Sequence, residues 1–361
     1  MTSRIWNGAL TASFADSAAW TPAGAPLSGD NLTIQDGNPI ATDLTFAGES
    51  IYLGGTNLTP GPAISAVPGA ILSGILGVEG TTAPNPTLSL IGSTIGSDTT
   101  IVVPAVPRLF FGGHLSAPNS ATLFITGGST TVPFAPLPVS ENDGTIETAG
   151  SAFTRGGTLD LSIGNAVLEN RGVIEASRGS SIVLFGYAIL PQAVAVQATM
   201  HNDGVIDVYG SVSDTTVQID GTGTVVLGLS PGVLGLGATP GRFEFDNEGE
   251  TIGSGQTFDF KGGELDLHGS NTYQGFGGFQ AVLSGFGRDP TDLISLNDFN
   301  VTSSSYAGGT LSLGGTNRYG VAEVASLHFG NLPVFGEFNF ATSNNVTNIT
   351  WGPPQFHPGP V

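Results

Sequence analysis

The chain repeats one phrase three times, and this repeat constrains the fold more than any other feature of the sequence. The phrases are ENDGTIETAG at residues 141–150, ENRGVIEASRG at 169–179 and HNDGVIDVYG at 201–210. Aligned on their asparagines, they are spaced by 28 and 32 residues, and a weaker echo, DNEGETIG, begins at Asp246. A unit of this length cannot bury its apolar face alone, so the repeat predicts units that stack on one another.

Each repeat contains three short β segments, which in the first repeat are GTIETAG at 144–150, GGTLDLSIG at 156–164 and AVLEN at 166–170. Alternation in the second segment places Leu159, Leu161 and Ile163 on one face. Three strands in about thirty residues predict an all-β fold, a parallel β-helix (β-solenoid), with three long sheets around a dry core. Glycine and asparagine are expected at corners that need positive φ.

Composition favours the same class, because 55 glycines and 23 prolines in 361 residues leave little room for long helices. Residues 1–60 are predicted to form an N-terminal cap and the first coils, residues 61–270 the solenoid body, and residues 271–361 a β-rich C-terminal cap. Caps are expected because an open end of a solenoid presents unpaired strand edges.

The charge of the chain excludes two classes of partner. The formal net charge is −20, from 29 acidic and 9 basic residues, which is too few cations to neutralise phosphates. Nucleic acid is therefore not expected as a partner, and neither is an anionic membrane surface. A long uncharged, apolar stretch, residues 61–78, is broken by Pro68 and several glycines, so membrane insertion is not expected either. With no cysteine, disulfides and thiolate metal sites are excluded.

The repeated asparagines Asn142, Asn170 and Asn202 mark the predicted corners. If each corner lies directly above the last, their side chains can stack as a hydrogen-bonded ladder. Alternatively, each is an isolated β-turn asparagine. The sequence leaves both interpretations open.

Two regions resemble a known family. The opening WNGALTASFADSAAWTPAGAPLSGDNLTIQDG resembles the start of bacterial autotransporter-like and adhesin-like passenger repeats. The stretches GFGGFQAVLSGFGRDPTDLISLNDFNVTSSSYAGGTLSLGG and SLHFGNLPVFGEFNFATSNNVTNITW resemble the unit that closes repeats in large secreted proteobacterial surface proteins. The resemblance implies an extracellular β-solenoid on a bacterial surface that serves adhesion, biofilm matrix or fibre assembly. Its implied partners are further copies of itself, head-to-tail or lateral, and a surface polysaccharide or host glycan.

One acidic loop, GRDPTDLISLND, is a candidate cation site. Its carboxylates Asp289, Asp292 and Asp298 are the hard oxygen ligands that Ca²⁺ takes, although the spacing matches no EF-hand. Solvated loop acids are the alternative interpretation. Calcium is the one cofactor that the sequence suggests, since the five histidines lack the short spacing of a zinc site.

The predicted function is a non-catalytic, self-assembling structural or adhesive protein. The alternative is a polysaccharide-active β-helix, that is, a lyase, hydrolase or depolymerase. A hydrolase of this kind needs a pair of carboxylates. Asp160 with Glu169, or Asp259 with Asp266, could supply the pair, although outward acids also keep a solenoid soluble. A third hypothesis is a glycan-binding module with an exposed aromatic platform. Its candidate residues are Tyr187, Tyr209, Tyr273, Phe276 and Phe279.

Overall fold

The computed structural model describes most of the chain beyond residue 138 and parts of what precedes it. The described residues are 2–7, 13, 15–27, 30–34, 139–148, 158–164, 166–187, 198–230, 238–246, 251–269 and 276–353, with short strands between residues 40 and 126. These residues form 34 strands and one turn of 3₁₀ helix at Ser17–Ala19, so the all-β prediction is confirmed. Within them, no helix has the length and apolar character needed to cross a membrane.

The first twelve strands lie before residue 127 and are mostly short. They are β1 (Ser3–Trp6), β2 (Trp20–Thr21), β3 (Asn31–Ile34), β4 (Ile40–Ala41), β5 (Ser50–Gly54), β6 (Ala63–Ala66), β7 (Ile71–Leu72), β8 (Ile75–Glu79), β9 (Thr87–Leu90), β10 (Thr94–Ile95), β11 (Thr100–Val103) and β12 (Ser120–Thr126).

The next strands include the three repeated phrases. They are β13 (Val139–Asn142), β14 (Thr145–Thr148), β15 (Thr158–Gly164), β16 (Val167–Asn170), β17 (Val173–Ala176), β18 (Ser181–Tyr187), β19 (Ala198–Asn202), β20 (Val205–Val208), β21 (Ser211–Asp214), β22 (Val217–Asp220), β23 (Thr224–Ser230), β24 (Thr239–Pro240), β25 (Arg242–Phe245) and β26 (Thr257–Lys261).

The last strands include the longest in the described chain. They are β27 (Glu264–His268), β28 (Val282–Ser284), β29 (Leu293–Asn297), β30 (Phe299–Ala307), β31 (Thr310–Asn317), β32 (Ala322–Phe329), β33 (Glu337–Ser343) and β34 (Val346–Gly352).

The strands form three sheets in which parallel pairing predominates. Sheet A has the order β2-β1-β3-β5-β8-β11-β14-β17-β20-β23-β26-β28-β32-β31-β30, with β24 also paired to β23. Sheet B has the order β33-β34-β29-β27-β25-β21-β18-β15-β12-β9-β6-β4, and sheet C has the order β22-β19-β16-β13-β10-β7. From β7 to β23, consecutive strands enter sheets C, A and B in rotation, and each strand from β7 to β20 pairs in parallel with the strand three places later.

The register of this pairing aligns the repeats. Ile146 of β14 lies opposite Ile174 of β17, which lies opposite Ile206 of β20, and the column continues through Val225 and Phe258. All five side chains are fully buried. Burying such a side chain contributes roughly 1.5–3 kcal/mol, so stacked apolar columns are the main stabilising feature of the fold.

Alternation predicts the inward face of β15 correctly. Leu159, Leu161 and Ile163 are at most 1% exposed. Asp160 and Ser162 point the other way, and Asp160 is half-buried. Period-two patterning is reliable here because each strand has one dry face.

The role predicted for the corner glycines holds at some corners and is wrong at others. Gly179 and Gly221, each between two successive strands, have positive φ as predicted, whereas Gly172 and Gly204 do not. A Cβ on Gly204 would lie 2.2 Å from the carbonyl oxygen of Gly172, and one on Gly172 would lie 2.1 Å from that of Gly144. These positions are glycine because the backbones of successive corners lie in close contact.

The N-terminal end of sheet A is closed by an antiparallel strand. Strand β2 pairs with β1, and the Trp6 and Trp20 rings meet edge to face with centroids 5.1 Å apart. Behind them, Arg4 Nε donates to Asp30 Oδ2 at 2.8 Å, and both residues are buried. This ion pair holds the pKa of Asp30 down at about 2.

The C-terminal end changes from parallel to antiparallel pairing. In sheet A, strands β30, β31 and β32 form an antiparallel meander, and β32 joins it in parallel to β28. In sheet B, β34 pairs antiparallel with both β29 and β33. An aromatic cluster packs between the two layers, in which Phe338 contacts Trp351, Phe329 and Tyr306.

Candidate functional site

A polar cluster lies on sheet B near this C-terminal end. Strands β25 and β27 are parallel neighbours, and Glu244 lies directly opposite Asp266. His268 follows Asp266 by two residues and so shares its face of the sheet. The flanking residues Phe243 and Leu267 are buried in the core. Alternation therefore fixes this cluster on the opposite, polar face.

The three side chains come within ligand distance of one another. His268 Nε2 lies 3.1 Å from Glu244 Oε1 and 3.9 Å from Asp266 Oδ1, and one ligand atom from each residue fits within 4.8 Å of the others. Among the described residues this is the one such group of three. The sequence analysis missed it because Glu244 is 24 residues from His268, and only the pairing of β25 with β27 brings them together.

Neighbouring side chains hold the cluster in place. Asp266 is only 2% exposed and accepts hydrogen bonds from the Arg242 guanidinium and from Asn297 Nδ2. On the other side of the imidazole, His268 Nδ1 lies 3.6 Å from Asp246 Oδ1. The Glu244 carboxylate raises the pKa of His268 more than burial lowers it, and the imidazole in turn lowers the pKa of Glu244.

A second histidine, on sheet C, has a different geometry. His201 Nδ1 lies 2.7 Å from Asp220 Oδ1, and its Nε2 lies 3.2 Å from Asp203 Oδ2. Each ring nitrogen thus has its own carboxylate, on opposite edges of the ring. The hydrogen bond to Asp220 raises the pKa of His201. This arrangement is an ion-pair row along sheet C.

Sheet A carries an acidic column on its outer face. Glu147, Glu175 and Asp207 lie opposite one another on β14, β17 and β20. Partial burial, and secondarily the charge of Glu175, raise the pKa of both Glu147 and Asp207. Lys261 opposes the shift at Asp207. The column concentrates negative charge along the sheet.

The repeated asparagines are stacked in the core. Of the two arrangements that the sequence left open, a ladder and isolated turn asparagines, the structure has the ladder. Asn142 Nδ2 donates to Asn170 Oδ1, and Asn170 Nδ2 donates to Asn202 Oδ1, both at 2.7 Å. Asn202 Nδ2 donates in turn to Gln256 Oε1 at 2.8 Å. All four residues are fully buried. The part that Gln256 plays could not be predicted from the repeat, because this residue lies outside the echo that begins at Asp246.

The three acids of the candidate calcium loop have separate partners. Asp292 is buried, and its carboxylate accepts backbone N–H groups of Gly262 and Gly287, each at 2.8 Å. Asp289 Oδ1 accepts from the backbone and hydroxyl of Thr291. Burial raises the pKa of Asp292, whereas the bonds from Thr291 lower that of Asp289.

The third acid of that loop is Asp298, whose backbone has positive φ. Its Oδ2 lies 3.2 Å from Arg318 Nη1. The three acids do not form a group of ligand atoms within 4.8 Å of one another. Calcium binding by this loop stays a prediction, and an ion there would share these carboxylates with the partners that they already have.

The carboxylate pairs considered for catalysis lie on different sheets. Asp160 is on β15 of sheet B and Glu169 on β16 of sheet C, while Asp259 is on β26 of sheet A and Asp266 on β27 of sheet B. The two members of each pair do not share a sheet face. A polysaccharide bond held between the members of either pair is therefore not supported.

The aromatic platform is wrong for two of its members, because Phe276 and Phe279 are core residues that are at most 3% exposed. Tyr209 is half-buried, and the backbone of Gly228 packs against its ring. Tyr273 and the side chain of Tyr187 lie outside the described residues.

No protein-family model matches the chain, and no curated protein sequence matches it. Its class is therefore defined by the structure alone, as an all-β protein with parallel strands in long sheets.

Proposed function

We propose that the chain is a parallel β-solenoid with an N-terminal cap and a β-rich C-terminal cap, and that it acts outside the cell as a non-catalytic structural or adhesive protein. The rotation of consecutive strands through sheets C, A and B supports the solenoid. The in-register stacking of Asn142, Asn170 and Asn202 supports it independently. Long stacked sheets suit a scaffold that presents a surface rather than a pocket.

The observation that carries the functional proposal is the exposed apolar surface at the C-terminal end. Phe335 is 91% exposed and Val334 is 90% exposed, although both are large hydrophobic residues. Exposed apolar surface of this kind marks sites of protein contact. The other strongly exposed hydrophobics of this end are Tyr306, Tyr319, Val321 and Val324.

Strand β30 supplies a backbone edge at the same end. It is the last strand of sheet A, and its residues 302–307, TSSSYA, are exposed and uncharged. Natural edge strands usually carry charges, prolines or bulges that prevent pairing with another chain. Residues 303–307 have none of these, although a bulge lies between Val301 and Ser303. The occupant that fits best is the β30 strand of a second copy, because two such edges are self-complementary when antiparallel.

The opposite end suits pairing less well. Strand β2 has two residues and is followed directly by Pro22, which has no N–H to donate. Self-association is therefore proposed to begin between C-terminal ends, with head-to-tail fibres requiring a further contact.

Substitution of one edge residue tests this proposal. Gly308 and Gly309, both at positive φ, close a two-residue turn between Ala307 and Thr310, so alternate residues such as Ser304 direct their backbone groups to the free edge. Ser304→Pro removes an outward donor, and Ser304→Thr is the matched control. We expect the wild type and Ser304→Thr to form dimers or larger assemblies in sedimentation velocity and electron microscopy, and Ser304→Pro to be monomeric.

A monomeric wild type over the accessible concentration range would contradict self-association. Incubation with acidic and neutral polysaccharides tests the enzymatic alternative. New reducing ends or unsaturated products would contradict the non-catalytic proposal, and we expect neither.

A further inference from the structure

We propose that Glu244, Asp266 and His268 form a binding site for one divalent transition-metal ion of the zinc class. The ligand atoms would be Glu244 Oε1, Asp266 Oδ1 and His268 Nε2. Two carboxylates and one imidazole are a donor set that zinc accepts, with a fourth position left for water. Calcium is a poorer match because it prefers six to eight oxygen ligands.

The spacing of the ligand atoms fits a small tetrahedral ion. Bonds of about 2.0–2.2 Å in tetrahedral geometry place two ligand atoms roughly 3.3–3.5 Å apart. The distances from His268 Nε2 to Glu244 Oε1 and to Asp266 Oδ1, 3.1 and 3.9 Å, lie on either side of that value. Side-chain adjustments of a few tenths of an ångström would bring these two distances to the tetrahedral value.

The imidazole nitrogen that faces the carboxylates has an ion-pair contact but no well-directed hydrogen bond. His268 Nε2 is shielded from solvent and makes no hydrogen bond of normal geometry within the described chain, although Glu244 Oε1 is close to it. A buried polar atom without a hydrogen bond calls for an explanation, and a bound ion is one. A metal ion between Nε2 and the two carboxylates would give this nitrogen a partner.

The surroundings have the features of an outer coordination shell. Metal-bound histidines usually direct the second ring nitrogen towards a carboxylate, which fixes the ring and makes it a better ligand. Here Asp246 Oδ1 lies 3.6 Å from His268 Nδ1. Asn297 donates to Asp266 Oδ1 and leaves that oxygen a further lone pair. The rigid pairing of β25 with β27 pre-organises the ligands.

Arg242 is the competing cation. Its guanidinium bonds to Asp266 and lies 3.9 Å from Glu244 Oε2, so it supplies positive charge where the ion would lie. The Arg242 side chain is 45% exposed and can move into solvent. We infer that metal binding is coupled to displacement of this guanidinium, so that removing it strengthens binding.

His201 shows why the proposal concerns one histidine and not both. Its two carboxylates, of Asp203 and Asp220, contact different ring nitrogens, so no single nitrogen shares an ion with two carboxylates. His201→Gln is therefore a matched control for His268→Gln, because both remove an imidazole beside acidic residues. Neither change alters the carboxylates that bind cations non-specifically.

The experiment uses the full chain, free of any affinity tag and treated with chelator. Co²⁺ is titrated while the visible d–d bands of tetrahedral cobalt are recorded, and Zn²⁺ is then added as competitor and also measured by calorimetry. We expect one ion per chain, displacement of Co²⁺ by Zn²⁺, and unchanged binding in His201→Gln. His268→Gln should weaken binding by about 100-fold or more, Asp246→Asn by about 10-fold, and Arg242→Gln should strengthen it.

Three results would overturn the proposal. They are no saturable binding, binding that His268→Gln and His201→Gln weaken equally, and tighter binding of Ca²⁺ than of Zn²⁺ at this site. Far-ultraviolet circular dichroism checks that each variant is folded. If His268→Gln fails to fold, Glu244→Gln on the partly exposed neighbouring strand serves in its place.

Discussion

Asn170 donates from Nδ2 to Oδ1 of Asn202 on the next turn of the chain, at 2.7 Å and with both side chains fully buried. A primary amide donates and accepts at once, so each asparagine bonds to the turn before it and the turn after it. The ladder runs from Asn142 through Asn170 and Asn202 to Gln256, whose Nε2 then donates to two backbone carbonyls. It fixes the register of successive corners.

Asn170→Ala should destabilise the protein strongly, because it removes two buried hydrogen bonds and leaves a donor on Asn142 and an acceptor on Asn202 without partners. Each unsatisfied buried group costs about 1–3 kcal/mol, so the two together should cost about 2–6 kcal/mol. Urea unfolding followed by circular dichroism measures it. Asn300→Ala is the control, since its side-chain bond to Asn345 is exposed. Equal midpoints for the two variants would contradict a structural role for the ladder.

Gly204→Ala should also destabilise the protein, because the new methyl group would lie 2.2 Å from the carbonyl oxygen of Gly172. Backbone cannot yield as a side chain can, so the cost should reach the upper part of the usual 1–3 kcal/mol for overpacking. Gly253→Ala is a matched control, since the nearest atom to its Cβ would be 3.6 Å away. Thermal melts compare the two. A midpoint for Gly204→Ala at or above that of Gly253→Ala would show that the corners are not in close contact.

The acidic column on sheet A should make stability depend on pH. The pKa values of Glu147 and Asp207 are raised in the folded state. The contribution of these two groups to the free energy of unfolding is therefore fully present below their pKa values in the unfolded chain, which are near 4, and it is lost as pH rises through the raised folded-state values. Glu147→Gln with Asp207→Asn should therefore stabilise the protein at pH 7, by roughly 1 kcal/mol or less because both groups are partly solvated. The gain should vanish at about pH 4.

The measurement compares the melting temperatures of this double variant and of the wild type between about pH 4 and pH 7. Asp203→Asn should behave oppositely, because bonds from Thr222 lower the pKa of Asp203. Its loss of stability should appear at neutral pH and disappear as pH falls. A double variant that melts at a lower temperature than the wild type at pH 7 would contradict the claim that the acidic column destabilises the protein at that pH.

Arg4→Met should loosen the N-terminal end, because it leaves the buried carboxylate of Asp30 without its cation. Breaking a buried pair from one side costs about 3–5 kcal/mol. Hydrogen exchange measured by mass spectrometry should be faster in peptides from residues 2–34 and unchanged around Asn202. Asp16→Asn, at an exposed position, is the control. Unaltered exchange near Trp6 and Trp20 would show that the pair is dispensable.

The sequence predicted the strands well and the reasons for some residues poorly. Alternation identified Leu159, Leu161 and Ile163 as inward because one dry face is enough to specify a strand. It explained the corner glycines by positive φ alone and missed the close approach of Gly204 to Gly172, because that contact depends on a turn 32 residues away. The cluster around His268 was missed for the same reason, as its ligands meet only through strand pairing. Spacing along the sequence reveals sites formed by neighbouring residues, whereas the stacking of strands forms sites from residues that are distant in the sequence.

The central claim is that successive turns stack in register along one axis. The chain contains no cysteine, so paired spin labels can be introduced at outward positions of one column. Glu147, Asp207 and Asp259 occupy that column, with Asp207 two strands and Asp259 four strands from Glu147. At about 4.8 Å per strand, the mean label separation should grow by roughly 10 Å from the Glu147–Asp207 pair to the Glu147–Asp259 pair. Equal separations for the two pairs, or a shorter one for the second, would contradict the stacked architecture.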